Sequence, residues 1–270
     1  MAATVRVSIE GPSPEPGEHL PDGTPALLSH LPAVLARVHR ATAPGTEVVF
    51  DVRGHVDDPD RRLGPYPGLQ HLLMGAGFEP DRSADDGPVR AVRSRSLADT
   101  VGPDMRVLVC GLNPSEYAAD RGVGYARPGN RFWPAALSAG LVTRSHDPRH
   151  ALESHGVGMT DLVKRATTAA NALTVEEYRR GAKRVEALAG WLRPGVVCFV
   201  GLEGWRAAVD RTVRPGLQSR RFGGRRAYVM PSTSGRNAHA SLSELTGHLR
   251  AVADLGRDGA GLQVGVPHVE

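Results

Sequence analysis

The chain contains little cysteine, little lysine and no long apolar run. Its 270 residues include two cysteines, Cys110 and Cys198, which argues against a disulfide framework and against a four-cysteine iron–sulfur cluster. Only Lys164 and Lys183 are lysines, although the formal net charge is +4. No apolar run approaches the roughly 18 residues that span a bilayer, and no basic-then-apolar leader opens the chain. We therefore expect a cytoplasmic protein that does not contact a membrane.

Charge is divided unevenly along the chain. Residues 1–100 contain 10 basic and 14 acidic side chains, whereas residues 101–270 contain 23 basic and 15 acidic ones. The basic excess therefore lies in the second part, as expected of a region that binds a polyanion. Most of these residues are arginines, which suit bidentate phosphate contacts, although genomic base composition also raises arginine content.

The first hundred residues predict a small α/β lobe. Residues 1–25 are rich in Pro, Gly and Glu, which predicts a disordered or extended N-terminus. Within residues 26–98, a helical pattern at 31–38 precedes an apolar strand at 46–52, a helix at 69–74 and a short strand at 89–92. This order resembles the C-terminal half of a methyltransferase-like domain, but the glycine-rich cofactor turn of such enzymes is absent. An accessory lobe without methyl transfer and a plain α/β extension are both open at this point.

Residues 101–255 predict a second, larger α/β domain, followed by a tail at 256–270. Apolar strands at 106–110, 196–200 and 226–230 alternate with helical segments, and Thr174 and Glu177 have the spacing of a capping box. The run VVCFV has no polar alternation, which is typical of a central parallel strand. The sequence therefore predicts an α/β fold with a parallel central sheet flanked by helices. We expect this domain to fold and work without the first lobe.

Several segments of the second domain are polar turns of unusual composition. GLNPS follows the first strand at residues 111–115, GMTDLVKRAT lies at 158–167, and YARPGNRFW occupies 125–133. MPSTSGRN, at 230–237, continues from the last strand. As an ordered set they resemble the motifs of the mismatch-specific uracil/thymine-DNA glycosylases, a branch of the uracil-DNA glycosylase superfamily. The resemblance runs from about Val101 to about Leu255. It implies extrusion of a base from DNA and hydrolysis of its N-glycosidic bond.

The resemblance assigns roles to residues around the base. Asn113 matches the residue that holds the attacking water, and an amide can orient water although it cannot act as a strong base. Tyr125 matches the aromatic residue on which the extruded base stacks, and Gly111, Leu112 and Asn130 border the same pocket. By residue type alone, Asn113 is equally suited to closing its own turn, and Tyr125 to an exposed loop.

The MPSTSGRN segment carries candidate DNA contacts. Ser232, Ser234 and Gly235 suit phosphate binding through hydroxyl and backbone N–H groups. Arg236 matches the family's wedge residue, which fills the space left by the extruded nucleotide and contacts the orphaned guanine. A plain phosphate contact is the alternative for Arg236.

Asp161, in GMTDLVKRAT, has two interpretations. It is suited to act as an auxiliary base toward water or as an acceptor for the pyrimidine edge, and it is equally suited to cap a helix before Leu162. Lys164 and Arg165 are most simply contacts to the DNA backbone. Five histidines, His146, His150, His155, His239 and His248, lack the paired spacing together with a nearby Cys or carboxylate that zinc sites show, so we expect no metal and no cofactor.

Together these features predict a DNA repair glycosylase that removes uracil, and also thymine or modified pyrimidines, mispaired with guanine. We expect a monomer that acts on double-stranded DNA carrying G·U or related mismatches. No lyase step is expected, because no lysine lies in a candidate catalytic loop. A nucleic-acid-binding protein that has lost the chemistry and a methyltransferase-related protein are the alternatives.

Overall fold

A computed structural model describes residues 4–10, 27–53, 67–81, 88–102 and 105–260, and these form two α/β lobes. The elements of the first lobe are β1 (Thr4–Glu10), α1 (Leu27–Ala41), β2 (Glu47–Arg53), α2 (Pro67–Gly75), β3 (Phe78–Pro80) and β4 (Val89–Arg93). Its strands have the order β1-β2-β4-β3, in which β1 and β2 run parallel and the other neighbours antiparallel. The helices bury Leu35 and Leu73 in one cluster with Phe50 and Phe78, whose rings meet edge to face.

The second lobe is built on a mainly parallel sheet. Its elements are β5 (Val107–Gly111), α3 (Glu116–Arg121), α4 (Phe132–Ser138), α5 (Pro148–His155), β6 (Val157–Asp161), α6 (Val175–Leu192), β7 (Val196–Val200), α7 (Leu202–Ala208), β8 (Gly216–Leu217), β9 (Arg226–Met230) and α8 (Leu242–Ala260). The strand order is β6-β5-β7-β9-β8, and only β8 runs antiparallel to its neighbour. Every residue of β5, β6 and β7 is buried. The predicted position of VVCFV as a central parallel strand is therefore confirmed.

Helices cover both faces of this sheet. On one face, α6 and α7 belong to the same buried cluster as Leu108 and Val197. On the other face, α4, α5 and α8 pack with Val107 and Val109, because successive side chains of a strand point to opposite faces. The predicted α/β class with a parallel central sheet flanked by helices is confirmed. None of the helices in the described ranges combines the length and apolarity needed to cross a bilayer.

Helix α6 begins as its sequence predicts. Thr174 accepts a hydrogen bond from the backbone N–H of Glu177 at 3.2 Å, and the Glu177 carboxylate accepts one from the backbone N–H of Thr174 at 2.8 Å. This reciprocal pair is a complete capping box. The side chain of Glu177 is therefore fixed at the start of the helix.

Regular structure is present near both ends of the chain. Residues 4–10, in the predicted disordered or extended N-terminus, are extended and form strand β1, paired in parallel with β2. The rest of residues 1–25 lies outside the described residues. At the other end, α8 continues to Ala260, so the first five residues of the predicted tail at 256–270 are helical. Residues 261–270 also lie outside the described ranges.

The lobes share one apolar core. Leu73 and Phe78 of the first lobe belong to the same buried cluster as Leu162 and Tyr178 of the second. The backbone N–H of Asp99, between the lobes, donates to the carbonyl oxygen of Gly75 at 2.9 Å. That the second domain folds and works alone, and that the chain divides at residues 98–101, stay predictions.

The parallel strands bring their carboxyl ends to one edge of the second sheet. Strand β5 lies between β6 and β7. The chain leaves β5 toward one side of the sheet and leaves β6 toward the other, and a crevice forms between the loops at such a point. Strands β5, β6 and β9 end at this edge with Gly111, Asp161 and Met230. The candidate motifs therefore converge at this edge.

Candidate active site

A cavity of about 400 Å³ opens at the carboxyl edge of the second sheet. Its walls come from the segments that follow β5, β6 and β9, together with the segment between α3 and α4. Three of the twelve predicted site residues, Gly235, Lys164 and Arg165, do not line it. The other nine do: Gly111, Leu112, Asn113, Tyr125, Asn130, Asp161, Ser232, Ser234 and Arg236.

The carboxamide of Asn113 is held in one orientation. Its Nδ2 atom donates to the carbonyl oxygens of Pro114 and Arg165, each at 3.1 Å, and to Thr167 Oγ1 at 2.8 Å. Carbonyl oxygens only accept hydrogen bonds, so the amide nitrogen must occupy this side. Asn113 thus closes its own turn through Pro114, as the alternative interpretation has it. Its Oδ1 atom receives no hydrogen bond from the described residues and can accept one from a molecule in the cavity.

Thr167 orients Asn113, a role that the motif GMTDLVKRAT, of which it is the last residue, does not predict. The side chain is buried, and its backbone N–H donates to the carbonyl oxygen of Pro114 at 3.2 Å. Thr167 also forms a β-bridge with Ser115. The loops after β5 and β6 are therefore joined to each other, which fixes the position of Asn113 relative to Asp161.

Asp161 is the last residue of β6, and no helix follows it directly. The interpretation of Asp161 as a helix N-cap is therefore wrong. The carboxyl group is buried at the wall of the cavity, and burial raises its pKa to about 6, although Lys164 opposes the shift. The Nζ atom of Lys164 lies 3.9 Å from Oδ2. Above about pH 6 the group is ionised and can accept a proton from a molecule in the cavity.

A buried group of charges lies beside Asp161. Asp99 accepts hydrogen bonds from Lys164 at 2.6 Å, from Arg184 at 2.8 Å and from Thr160 at 2.7 Å. Burial raises the pKa of Asp99, but the charges of Arg184 and Lys164 outweigh burial, and the net shift is downward. Arg184 also donates to the backbone carbonyl of Asp161 at 2.7 Å. Two cations face two carboxylates here, so ionised Asp161 completes a balanced set of buried charges.

Lys164 and Arg165 are both held by carboxylates. Lys164 has a side chain that is only 10 % exposed and is bound to Asp99, which does not favour the predicted contact with the DNA backbone. Arg165 is about half exposed, but its guanidinium group contacts both carboxylate oxygens of Glu177, at 2.7 and 3.1 Å. A phosphate would have to compete with Glu177. The contribution of Arg165 to the cavity is its backbone carbonyl, which holds Asn113.

Tyr125 adopts a strained backbone conformation at the cavity wall. Its φ of 59° lies in the left-handed region, which a bulky side chain rarely adopts. The ring stacks on Phe132 with 4.2 Å between centroids, and the hydroxyl group is buried without a partner among the described residues. Burial raises the pKa of Tyr125 well above its usual value, and Asp161 adds to the shift. The hydroxyl group therefore stays protonated and is an available donor.

Gly111 leaves the room that two of these groups occupy. A Cβ atom at this position would lie 2.4 Å from Asp161 Oδ1 and 3.0 Å from the hydroxyl oxygen of Tyr125. The carboxylate and the phenol therefore approach the end of β5 from two sides. A side chain at position 111 would displace at least one of them.

Asn130 connects the cavity to the apolar cluster between the second sheet and helices α4, α5 and α8. Its Oδ1 atom accepts a hydrogen bond from the backbone N–H of Phe132 at 2.9 Å, at the start of α4. Phe132 and Trp133 are fully buried in this cluster. The placement of Asn130 at the cavity therefore depends on a helix that is anchored by two aromatic side chains.

We call residues 231–240 the rim loop. Ser232 and Ser234 use their hydroxyl oxygens to accept backbone N–H groups of the loop, each at 3.3 Å, which leaves the hydroxyl hydrogens free to donate. Gly235 lies against the neighbouring backbone, since a Cβ atom there would be 2.7 Å from the carbonyl oxygen of Gly129. Arg236 is exposed, and its side chain makes no hydrogen bond or ion pair with any described residue.

Two further charged residues line the cavity, of which one lies within the motif YARPGNRFW and the other in no motif. Arg127 and Glu203 are both exposed at its mouth. Within the described ranges, no group of three His, Cys, Asp or Glu side chains is arranged to hold a metal ion. The polar groups at the cavity are therefore amide, carboxylate, hydroxyl and guanidinium groups.

A parallel α/β sheet with these motifs gathered at its carboxyl edge is the arrangement that the resemblance to base-removing enzymes implies. The chain matches the family model of the uracil DNA glycosylase superfamily over residues 98–256. It belongs to this superfamily. Membership supports a DNA glycosylase activity and DNA as the partner. The match leaves the first lobe uncovered, so the resemblance of that lobe to a methyltransferase-like domain stays a prediction.

Among solved structures, the chain is similar to the solution NMR structure of a candidate uracil DNA glycosylase from Methanosarcina acetivorans. The two sequences are 21% identical, and the TM-score is 0.42. The similarity covers 59% of this chain and 98% of the archaeal one.

Proposed function

We propose that this protein is a monofunctional DNA glycosylase that hydrolyses the N-glycosidic bond of uracil mispaired with guanine. The observation that carries the proposal is the carboxamide of Asn113. Three acceptors hold its nitrogen, while its oxygen is free at a cavity that also contains Asp161 and Tyr125. A group held in this way fixes the position of a water molecule at any pH, because an amide does not titrate.

Asn113 and Asp161 act on the attacking water in different ways. Breaking the N-glycosidic bond places positive charge on the sugar and negative charge on the departing base, so the water must be positioned and must lose a proton. Asn113 provides the position. Asp161, with a pKa of about 6, provides a proton acceptor near neutral pH. An alternative use of Asp161 is to accept a hydrogen bond from the pyrimidine edge, and the pH dependence of the rate separates the two.

Tyr125 binds the extruded base. Tyr125 lines the cavity, and stacking on Phe132 holds its ring in place. Stacking of a base on an aromatic ring is worth roughly 1–3 kcal/mol and tolerates several bases. This tolerance supports thymine and modified pyrimidines opposite guanine as further substrates.

The rim loop enters the DNA. Arg236 fills the space of the extruded nucleotide and contacts the orphaned guanine, while Ser232 and Ser234 bind phosphate oxygens through their hydroxyl groups. A G·U wobble opens more easily than a Watson–Crick pair, which favours mismatched sites. The exposure of Arg236 and its lack of partners in the described chain support this role.

The reaction uses water as its nucleophile. No lysine occurs among the described residues that line the cavity, and the amine of Lys164 is bound to Asp99. Without an available amine, a covalent imine with the sugar and the strand cleavage that follows it are not expected. The product is an abasic site in an intact strand.

The test uses a labelled duplex that carries uracil opposite guanine, incubated with the protein and then treated with alkali. Cleavage only after alkali supports the proposal, and cleavage before alkali would indicate a lyase. Tight binding without cleavage would favour the nucleic-acid-binding alternative, and methyl incorporation from labelled S-adenosylmethionine the methyltransferase one. An Asn113→Ala preparation excludes contaminating enzymes. We expect U·G to react at least roughly tenfold faster than U·A.

A further inference from the structure

Arg131 holds the rim loop by its backbone. It precedes α4 at the N-cap position, but its side chain does not cap that helix. Its Nη2 atom instead donates to the carbonyl oxygens of Ser234 at 3.1 Å and Asn237 at 2.6 Å, and its Nη1 atom donates to that of Ala240. The backbone N–H of Arg131 donates to the carbonyl oxygen of Thr233 at 2.9 Å. One residue thus makes four hydrogen bonds to a loop more than 100 positions away.

These contacts determine the shape of a segment that has little regular structure. The carbonyl groups of Ser234, Asn237 and Ala240 point inward around one guanidinium group, whose Nε atom is buried. A planar guanidinium presents several donors in a fixed fork, whereas a lysine ammonium is a single point charge. Asn237 adds two bonds within the loop, to the carbonyl oxygens of Ser232 at 2.8 Å and Ser234 at 2.9 Å.

The outward direction of Arg236 follows from this inward arrangement. Arg236 lies between Ser234 and Asn237, both of which have carbonyl groups bound to Arg131. The backbone of Gly235 lies against Gly129. The loop is therefore fixed on both sides of Arg236, while the Arg236 side chain itself has no described partner.

We propose that Arg131 is a positioning residue that sets the rim loop in the conformation that presents Arg236 to DNA. Arg131 does not line the cavity, so it acts through the loop and does not contact the reacting atoms. The presentation of Arg236 to DNA rests on the proposed function. The fixing of the rim loop by Arg131 does not depend on that function.

Hydrogen exchange of the full-length protein tests the loop directly. In Arg131→Met, which keeps an unbranched apolar stem, we expect amides of residues 233–240 to exchange at least roughly tenfold faster, while the strands of the second sheet keep their protection. Arg250→Met is the matched control, because Arg250 is exposed and donates to a carbonyl oxygen far from the rim loop, that of Ser138 at 3.4 Å. Unchanged exchange in the rim loop would overturn the proposal. If Arg131→Met does not fold, Arg131→Lys is used in its place. Faster amide exchange in residues 233–240 is expected for this variant as well.

A double-mutant cycle with Arg236→Ala tests the functional part. We expect Arg131→Met to lower kcat/KM on a U·G duplex by roughly tenfold, no more than Arg236→Ala itself, because Arg131 acts through the position of Arg236. In the Arg236→Ala background the same change should have an effect of less than about threefold, since the residue that it positions is already absent. Equal effects in both backgrounds would indicate a general structural role and overturn the proposal. If the wild-type protein excises no base, the proposed function fails, and hydrogen exchange alone decides the role of Arg131.

Discussion

The two sides of the cavity differ in how firmly their polar side chains are held. On the buried side, Asn113 and Asp161 are fixed by hydrogen bonds, by Thr167 and by neighbouring charges. On the outer side, Arg236 extends from the rim loop without a described side-chain partner. Groups that act on a reacting atom gain from being fixed in advance, whereas a group that meets DNA must have free donors. The comparison implies that buried-side substitutions change the rate of chemistry and outer-side substitutions change binding to duplex DNA.

The largest expected effect belongs to Asn113. Replacement by alanine removes the oxygen that positions water, so we expect single-turnover excision of uracil to slow by roughly 10²- to 10³-fold. The dissociation constant for the same duplex should change by less than about twofold. The measurements are single-turnover kinetics and binding to a duplex with a non-hydrolysable uracil nucleotide. An unaltered rate would assign the positioning of water to Asp161 alone.

Asp161 should control the pH dependence. A pKa of about 6 means that its carboxylate is mostly protonated below that pH and ionised above it, so the wild-type rate should rise with pH through about 6. In Asp161→Asn the rise should disappear, and the rate near pH 8 should fall by roughly 10- to 100-fold. Asn113→Ala is the control, since it should be slow but keep the inflection near pH 6. An inflection that persists in Asp161→Asn would show that another group titrates.

The parts of the fold that the sequence predicts are those with strong local patterns. The capping box at Thr174 and the uninterrupted apolar run of β7 are such patterns, and both are confirmed. Strand β6 contains Gly158, Thr160 and Asp161 among its five residues, so it lacks the apolar run that predicts a buried strand. Its place in the sheet depends on pairing with β5, which no local pattern encodes.

In the candidate site, too, local motifs could be predicted from the sequence and long-range contacts could not. The motifs predict which loops meet, and the cavity at the carboxyl edge brings nine of the residues together. They do not predict that Lys164 turns inward to Asp99, because that contact joins residues 65 positions apart. Arg131 and Thr167 lie within or beside recognisable motifs, but their roles depend on contacts across the fold. Long-range contacts of polar side chains are therefore what the sequence leaves undetermined.

Arg236 tests the outer side of the comparison. Arg236→Ala should raise KM on a U·G duplex by roughly tenfold and leave kcat within about threefold, because it removes a DNA contact but none of the buried groups. If the protein acts on single-stranded uracil DNA, the effect there should be smaller, since no orphaned guanine is present. Steady-state kinetics on both substrates supply the measurement. A fall in kcat equal to that of Asn113→Ala would remove the distinction between the two sides.

Tyr125 lies between the two sides, and its hydroxyl group is expected to have the smallest effect. The group is buried without a described partner, and an unsatisfied buried hydroxyl costs about 1–3 kcal/mol. Tyr125→Phe should therefore raise the free energy of unfolding by about 1 kcal/mol, which corresponds to a few degrees in Tm. Tyr228→Phe is the matched control and should do the opposite, because its hydroxyl group forms a 2.8 Å hydrogen bond with His248 Nδ1. If Tyr125 serves only as a stacking surface, Tyr125→Phe keeps the wild-type kcat/KM. A loss of about tenfold would mean that the hydroxyl group donates to the bound base, and Tyr125 would then belong functionally with Asn113 and Asp161.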